Sequence, residues 1–323
     1  MASMISSMIA TPVTIRPSVS ARTGSSVRMT APKRVAGRSS LVVRADANLV
    51  ATVAEVSPTV GILGASAVIG LAATLIAADP NKRRTEMAAA ADGDEMASVK
   101  NYFETVGADR WKKIYGETDE VNKVQLDIRT GHAQTVEKVI GWLKSEGDLK
   151  NCTIADCGCG TGSLAVPLAM EGAAVTASDI SSAMVGNARE RYETELAKGK
   201  KAPEVAPNFK ACDLESESGK YHTVTCLDVM IHYPQAKADA MITHLASLAD
   251  ERLIISFAPF TIPYAILKRI GELVPGPSKA TRAYLHAEKD VEAALNKAGW
   301  KVVKREMTAT NFYFSRLLEA KRA

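Results

Sequence analysis

Residues Ile154 to Gly162 read Ile-Ala-Asp-Cys-Gly-Cys-Gly-Thr-Gly, and no other stretch constrains the fold as strongly. An apolar run, an acid and glycines at alternate positions predict a buried strand ending at Asp156, a tight turn, and a helix from about Ser163. Glycines let backbone lie against a ligand that a Cβ would push away. The free N–H groups at the start of the helix, with its positive dipole end, would face that ligand. The dinucleotide fingerprint differs, because its third glycine falls one residue later. That later position is Ser163 here, and the third glycine is Gly162. An acid before the first glycine would repel a pyrophosphate, whereas it suits a ligand with a cationic end. The competing reading is a structural turn that holds no ligand.

The rest of the chain supplies the frame for such a loop. Strands are predicted at Cys152–Ala155, Ala174–Ser178, Pro207–Ala211, Tyr221–Leu227 and Arg252–Phe257. Helices are predicted at Ser163–Met170, Ser182–Ala197, Ala236–Leu248 and Val291–Ala298, with a terminal hairpin of Trp300–Arg305 and Phe312–Leu318. Such alternation means an α/β fold, a mostly parallel sheet with helices on both faces. Ligands then bind outside the carboxyl ends of the strands. Ahead of this unit the pattern is helical from about Ser98 through Tyr102, Phe103, Trp111, Ile114 and Tyr115. A longer helix is predicted over Thr118–Ser145, with Thr118 as its N-cap and Asp119 and Glu120 in its first turn.

The N-terminus has a different character. Of the 323 residues, the first 45 contain no Asp or Glu but carry Arg16, Arg22, Arg28, Lys33, Arg34, Arg38 and Arg44 among many Ser and Thr. That is the composition of an organelle transit peptide, with Val42-Val43-Arg44-Ala45 as a plastid-type processing site. A mitochondrial address and a retained basic tail are the alternatives. The net charge of +4 turns negative without this segment, so nothing recommends nucleic acid as a partner. Val60 to Ala78 carries no charge, about the length that crosses a bilayer core. Lys82-Arg83-Arg84 flank it, and Glu86 to Glu95 read as a linker. The expected division is therefore 1–45 transit peptide, 46–95 membrane-association segment and linker, and 96–323 catalytic domain. The alternative for the apolar stretch is an Ala-rich helix packed on the domain. The five cysteines show no zinc-ligand spacing, and Cys157 and Cys159 within the loop are candidates for a thiol switch.

The Asp156-x-Gly158-x-Gly160-x-Gly162 pattern resembles motif I of the class I S-adenosylmethionine (AdoMet) methyltransferases. Under that resemblance each strand end has a task. Asp156, Gly158, Gly160 and Gly162 form the cofactor cradle. Asp179, about twenty residues past the loop, is placed to bind both ribose hydroxyls, and Ile180 and Met184 to flank the adenine. Asp213 is placed to accept from the adenine amino group, with Leu214 beside it. Asp228 opens the segment after strand four, beside the reactive methyl, and His232 is aimed from there at the acceptor. His132, His222, His244 and His286 lack such placement and read as structural or exposed.

Three further stretches narrow the resemblance. They are Arg110-Trp111-Lys112-Lys113-Ile114-Tyr115-Gly116-Glu117-Thr118-Asp119-Glu120-Val121-Asn122, Leu227 to Gln235, and Phe257-Ala258-Pro259 with Gly276 to Tyr284. Together they resemble the magnesium-protoporphyrin IX methyltransferases over nearly everything after Tyr102. Cys157 departs from the small residue expected at its position. The resemblance implies a seven-stranded class I methyltransferase fold with a C-terminal antiparallel hairpin and an N-terminal helical lid. It also implies AdoMet as methyl donor and a propionate carboxylate of Mg-protoporphyrin IX as acceptor. The Mg arrives within the substrate, so no protein-bound metal is implied. His232 and Tyr115 would orient the carboxylate, His232 having axial Mg ligation as its alternative role. Tyr264, Ile266, Leu267, Ile270 and Leu273 would face the macrocycle, and Arg269, Lys279 and Arg282 would pair with propionates. The implied partners are the porphyrin-delivering subunit of Mg-chelatase and a thylakoid or inner-envelope membrane surface of the chloroplast. Two readings compete: another plastid AdoMet enzyme acting on a quinone or phenol, and a ligand-binding sensor without turnover.

Overall fold

The computed structural model describes residues 95–323 except Asn151 and residues 274–282, without the side chains of Glu95 and of 270–273. The predicted transit peptide, apolar segment and linker, together with Lys279, Arg282 and the side chains of Ile270 and Leu273, lie outside the described residues. Among the described residues no helix is long and apolar enough to cross a membrane.

The order of elements is α1 (Glu95–Glu104), α2 (Val106–Tyr115), α3 (Lys123–Lys144), β1 (Thr153–Cys157), α4 (Ala165–Met170), β2 (Ala174–Asp179) and α5 (Ser182–Ala197). Then come β3 (Asn208–Ala211), β4 (Tyr221–Cys226), α6 (Gln235–Leu248), β5 (Ala249–Phe257), α7 (Ile262–Leu273), α8 (Glu288–Lys297), β6 (Trp300–Ala309) and β7 (Phe314–Arg322). Short 3-10 turns sit at Leu214–Ser216 and Met230–His232. The seven strands are ordered β3-β2-β1-β4-β5-β7-β6. The first five pair in parallel, and β7 lies antiparallel between β5 and β6. The direction of winding reverses between β1 and β4, and an open sheet of this kind splits a ligand crevice there.

Both faces of the sheet are covered, so its central strands are apolar throughout rather than alternating. The side-chain period of two then divides residues between two cores. Ile154, Val175 and Ile254 pack with Val139, Leu168 and Val185 on one face. Ala155, Val224, Leu253 and Ile255 pack with Ile242, Leu245, Leu295 and Trp300 on the other.

Two predicted boundaries are corrected. The long helix starts at Lys123, not Thr118. Asn122 and Gln125 form a reciprocal capping box, each side chain accepting from the other's backbone N–H. Arg129 meanwhile donates to the carbonyls of Lys113, Ile114 and Thr118, at 2.8, 2.6 and 2.9 Å, and fixes the preceding residues as a loop. Strand five begins at Ala249, three residues before its predicted start at Arg252. The added Asp250 and Glu251 are exposed, and Arg322 donates to the carbonyls of Ala249 and Asp250, while Arg252 is buried against Glu319 of β7 with Nε 2.9 Å from Oε1.

The helical lid is tied to α5. The Glu104 carboxylate accepts from the N–H groups of Ser182 and Ala183 and from the Ser182 hydroxyl, capping that helix from outside. Those N–H groups hold Glu104 below the usual carboxylate range. Ser181 donates to Phe103 O at 2.9 Å, and Arg191 to Tyr115 O at 2.6 Å.

Candidate active site

The glycine loop closes over the end of β2, with Gly158 and Cys159 N–H both donating to Ser178 O at 2.7 and 2.8 Å. Gly158 has φ +79°, and a Cβ there would lie 2.2 Å from Val229 Cγ2. Gly160 differs: at φ +53°, a Cβ would meet only Met184 Cε, at 3.6 Å. Gly158 thus serves the close approach of two loops, while Gly160 presents bare backbone to open space. That is what an AdoMet cradle requires, so the residues fit the cofactor the sequence implies.

The acids at the strand ends divide by environment. Asp156 is 2% exposed, accepts from the Thr225 hydroxyl at 2.8 Å and also receives the Ala165 N–H. Its visible bonds brace β1 to β4 and to the start of α4. Burial pushes it up to about 6 despite these donors. Asp179 is likewise pushed up to about 6 by burial, although the N–H groups of Ser181 and Gly160 donate to it at 2.9 and 3.0 Å. Asp179 therefore already touches the glycine loop. Ile180 is half-buried beside it and Met184 is buried. Asp213 is exposed and caps the 3-10 turn through Ser216, while Leu214 is buried.

Asp228 gathers the most partners. It is the only non-glycine residue with positive φ among the described residues, at 59°, a strained conformation typical of functional turns. Its Oδ2 accepts from Tyr313 OH at 2.7 Å and lies 2.9 Å from His132 Nδ1. Its Oδ1 accepts from the hydroxyls of Ser256 and Ser315 at 2.8 and 3.1 Å. Burial alone would raise this carboxyl, but the bonds from His132, Tyr313 and Ser256 outweigh burial and hold it below its ordinary value.

Tyr115 stacks on His132, with ring centroids 4.1 Å apart and planes 19° off parallel. Burial and the nearby Asp228 carboxylate push its phenol well above the ordinary range, so it stays neutral. His232 sits in the 3-10 turn after β4 and meets Phe103 of α1 edge-on, at 5.4 Å and 81°. The lid thus contributes rings both to His132 and to His232. On α7, Tyr264 packs on Phe314 at 4.1 Å, and Leu267 and Arg269 are half-buried. The predicted wall therefore abuts the strand whose approach delivers Tyr313 to Asp228.

His132, which the sequence reading takes as structural or exposed, is buried, with Asp228 and Ser163 on its two ring nitrogens. A signal was present: it continues the buried stripe of Val136, Val139 and Leu143 on α3, where a histidine needs polar partners. His286 is structural, its ring bonded to Gln235 and Met230 O. Burial pushes the Cys157 and Cys159 thiols well above their ordinary range, which disfavours the thiolate that a switch requires. Among the described residues no group of His, Cys, Asp or Glu is placed to hold a metal.

The sheet order, the glycine loop and the acids at the strand ends define a Rossmann-like class I AdoMet-dependent methyltransferase. A family model described as methyltransferase domain matches residues 154–251, and one described as magnesium-protoporphyrin IX methyltransferase C-terminus matches 226–322. The chloroplastic magnesium protoporphyrin IX methyltransferase of Arabidopsis thaliana is 57% identical over 82% of this chain and 83% of its own length. The magnesium-protoporphyrin O-methyltransferase of Synechocystis is 51% identical over 71% of this chain and 97% of its own. The crystal structure of magnesium protoporphyrin IX methyltransferase from Synechocystis PCC 6803 with bound S-adenosylhomocysteine superposes with a TM-score of 0.63, covering 70% of this chain and 98% of that one. The chain belongs to the magnesium-protoporphyrin IX methyltransferase family.

Replacing Gly158 by Ala forces a left-handed residue, costing about 1–2 kcal/mol, and a clash with Val229. S-adenosylhomocysteine affinity, measured by calorimetry, should fall at least about tenfold, as 1.4 kcal/mol is tenfold. Gly141→Ala, in the last turn of α3 with nothing within 4 Å of the added carbon, is the control and should bind like the parent.

Proposed function

We propose that the chain transfers the AdoMet methyl to a propionate carboxylate of Mg-protoporphyrin IX, forming the monomethyl ester used in chlorophyll biosynthesis. The observation that carries this is the match along 97% of the Synechocystis enzyme by a chain with its own open glycine cradle at Gly160. When bound, AdoMet supplies an activated sulfonium methyl. Asp179 would hold the ribose hydroxyls, Asp213 the adenine amino group, and Ile180, Met184 and Leu214 the adenine faces. Asp156 and Asp228 would set a negative field near the cationic end.

A carboxylate acceptor is already ionised near pH 7, so the protein need not remove a proton. It must hold and desolvate a weak nucleophile instead. A neutral Tyr115 phenol suits that role, since it donates a hydrogen bond and takes no proton. His232 is the second orienting group, with axial Mg ligation as its alternative. Tyr264, Leu267 and Ile270 would face the macrocycle, with Arg269, Lys279 and Arg282 toward propionates. The chloroplastic name of the Arabidopsis relative supports a plastid location. Residues 1–45 would be the transit peptide. Residues 46–95 would attach the 96–323 domain to a thylakoid or inner-envelope surface, near the porphyrin-delivering subunit of Mg-chelatase.

The test is incubation of the protein with methyl-labelled AdoMet and either Mg-protoporphyrin IX, metal-free protoporphyrin or a quinone precursor. Label is expected in the Mg-porphyrin monomethyl ester, and His232→Ala should lower kcat more than cofactor affinity. Label in the quinone alone would overturn the reading.

A pH dependence follows from Asp179. Above about pH 6 it is ionised and can accept both hydroxyls; below, it takes up a proton. S-adenosylhomocysteine affinity should therefore drop by up to about tenfold per pH unit below that point. Asp179→Asn should bind more weakly with a shallower slope. An unchanged slope would remove Asp179 from the ribose.

A further inference from the structure

His132 joins three segments that the reaction needs in register. It lies on α3, is 8% exposed, and has both ring nitrogens engaged. Nδ1 is 2.9 Å from Asp228 Oδ2, and Nε2 is 2.8 Å from Ser163 Oγ. An ionised Asp228 can only accept, so Nδ1 carries the proton. In the neutral ring Nε2 then accepts the Ser163 hydroxyl. Ser163 directly follows Gly162 of the cofactor loop, and Asp228 opens the turn that carries His232. The face of the ring supports Tyr115 at 4.1 Å, and its edge contact is with Tyr313 at 6.4 Å and 85°.

We infer that His132 is a positioning residue for methyl transfer, clamping the cofactor loop to the turn after β4 through its two nitrogens and setting the plane of Tyr115 with its ring face. This rests on the methyl-transfer reading of the site. A nucleophilic displacement at a bound methyl is sensitive to sub-ångström misplacement of the acceptor. One side chain that fixes the residue after the glycine loop and also packs against the Tyr115 phenol would set both ends of that geometry. The role inferred for His132 is positional, exerted through Ser163, Asp228 and Tyr115.

The experiment compares full-length His132→Phe, His132→Asn and Ser163→Ala with the parent chain. The readouts are kcat, KM for Mg-protoporphyrin IX, Kd for S-adenosylhomocysteine and Tm. His132→Phe keeps a flat ring against Tyr115 but has no nitrogen. His132→Asn returns an amide near the Asp228 carboxylate. Ser163→Ala removes one bond only. The expected result is a kcat loss of about 100-fold in His132→Phe, with KM and Kd changed less than about fivefold, and about tenfold recovery in His132→Asn. Ser163→Ala should lose about tenfold in kcat at unchanged Tm. If His132→Phe does not fold, Ser163→Ala decides, and an unchanged kcat there overturns the inference. A His132→Phe kcat within twofold of the parent also overturns it. So does a loss that follows Tm and is not recovered by Asn, because that is a purely structural role. An active parent matched by its variants defeats this inference alone. No ester from the parent defeats the methyl-transfer reading and the inference with it.

Discussion

The carboxylate of Asp228 is the point on which the site's architecture turns. A largely enclosed charge is tolerated only when donors surround it, and here the donors come from four places in the chain. His132 comes from α3, Ser256 from the end of β5, Tyr313 from the bend before β7 and Ser315 from β7 itself. The backbone N–H of Asp228 also donates to Ser256 Oγ at 2.8 Å. The terminal hairpin is thereby fastened to the carboxyl end of β4 by more than its ladder with β5. Removing one donor leaves the enclosed carboxylate short of a partner, which costs more than the bond itself.

The lid follows from the same constraint. The Tyr115 ring lies stacked on His132, which itself is bonded to Asp228. Further ties of the lid run to α5: Glu104 at its N-terminus, Lys112 to Glu190 on its surface, and Arg191 to the carbonyl of Tyr115. The exposed ion pair contributes little. The capping of α5 by Glu104 and the Arg191 bond are the ordered contacts that place the end of α2 over the cofactor loop.

What the sequence made legible is what local chemistry dictates. The glycine loop and the alternating strands and helices announce themselves through turn geometry and periodicity, and the acids near β2 and β4 through the resemblance that the loop carries. The first residues of β5 are not legible because Asp250 and Glu251 are charged and exposed, and the Arg322 side chain that binds the carbonyls of Ala249 and Asp250 lies far along the chain. The start of α3 was misjudged because Thr118-Asp119-Glu120 and Asn122 both look like caps, and only Arg129 folding back decides between them. The bonds of His132 are not legible in the sequence for a related reason. Its partners, Ser163 and Asp228, lie far along the chain, and nothing in its neighbours reveals them. Asp156 was legible as a motif residue, but its bonds to Thr225 and Ala165 were not.

The central claim is that the Asp228 charge, rather than its shape, organises acceptor and cofactor. The direct measurement is kcat for methyl transfer to Mg-protoporphyrin IX by Asp228→Asn, an isosteric change that replaces an acceptor-only group by one that must also donate. The account predicts a fall of at least about 100-fold, since His132 and Tyr313 then face a donor and lose their register. A kcat within a few-fold of the parent would show that the hub is packing alone and would contradict the account.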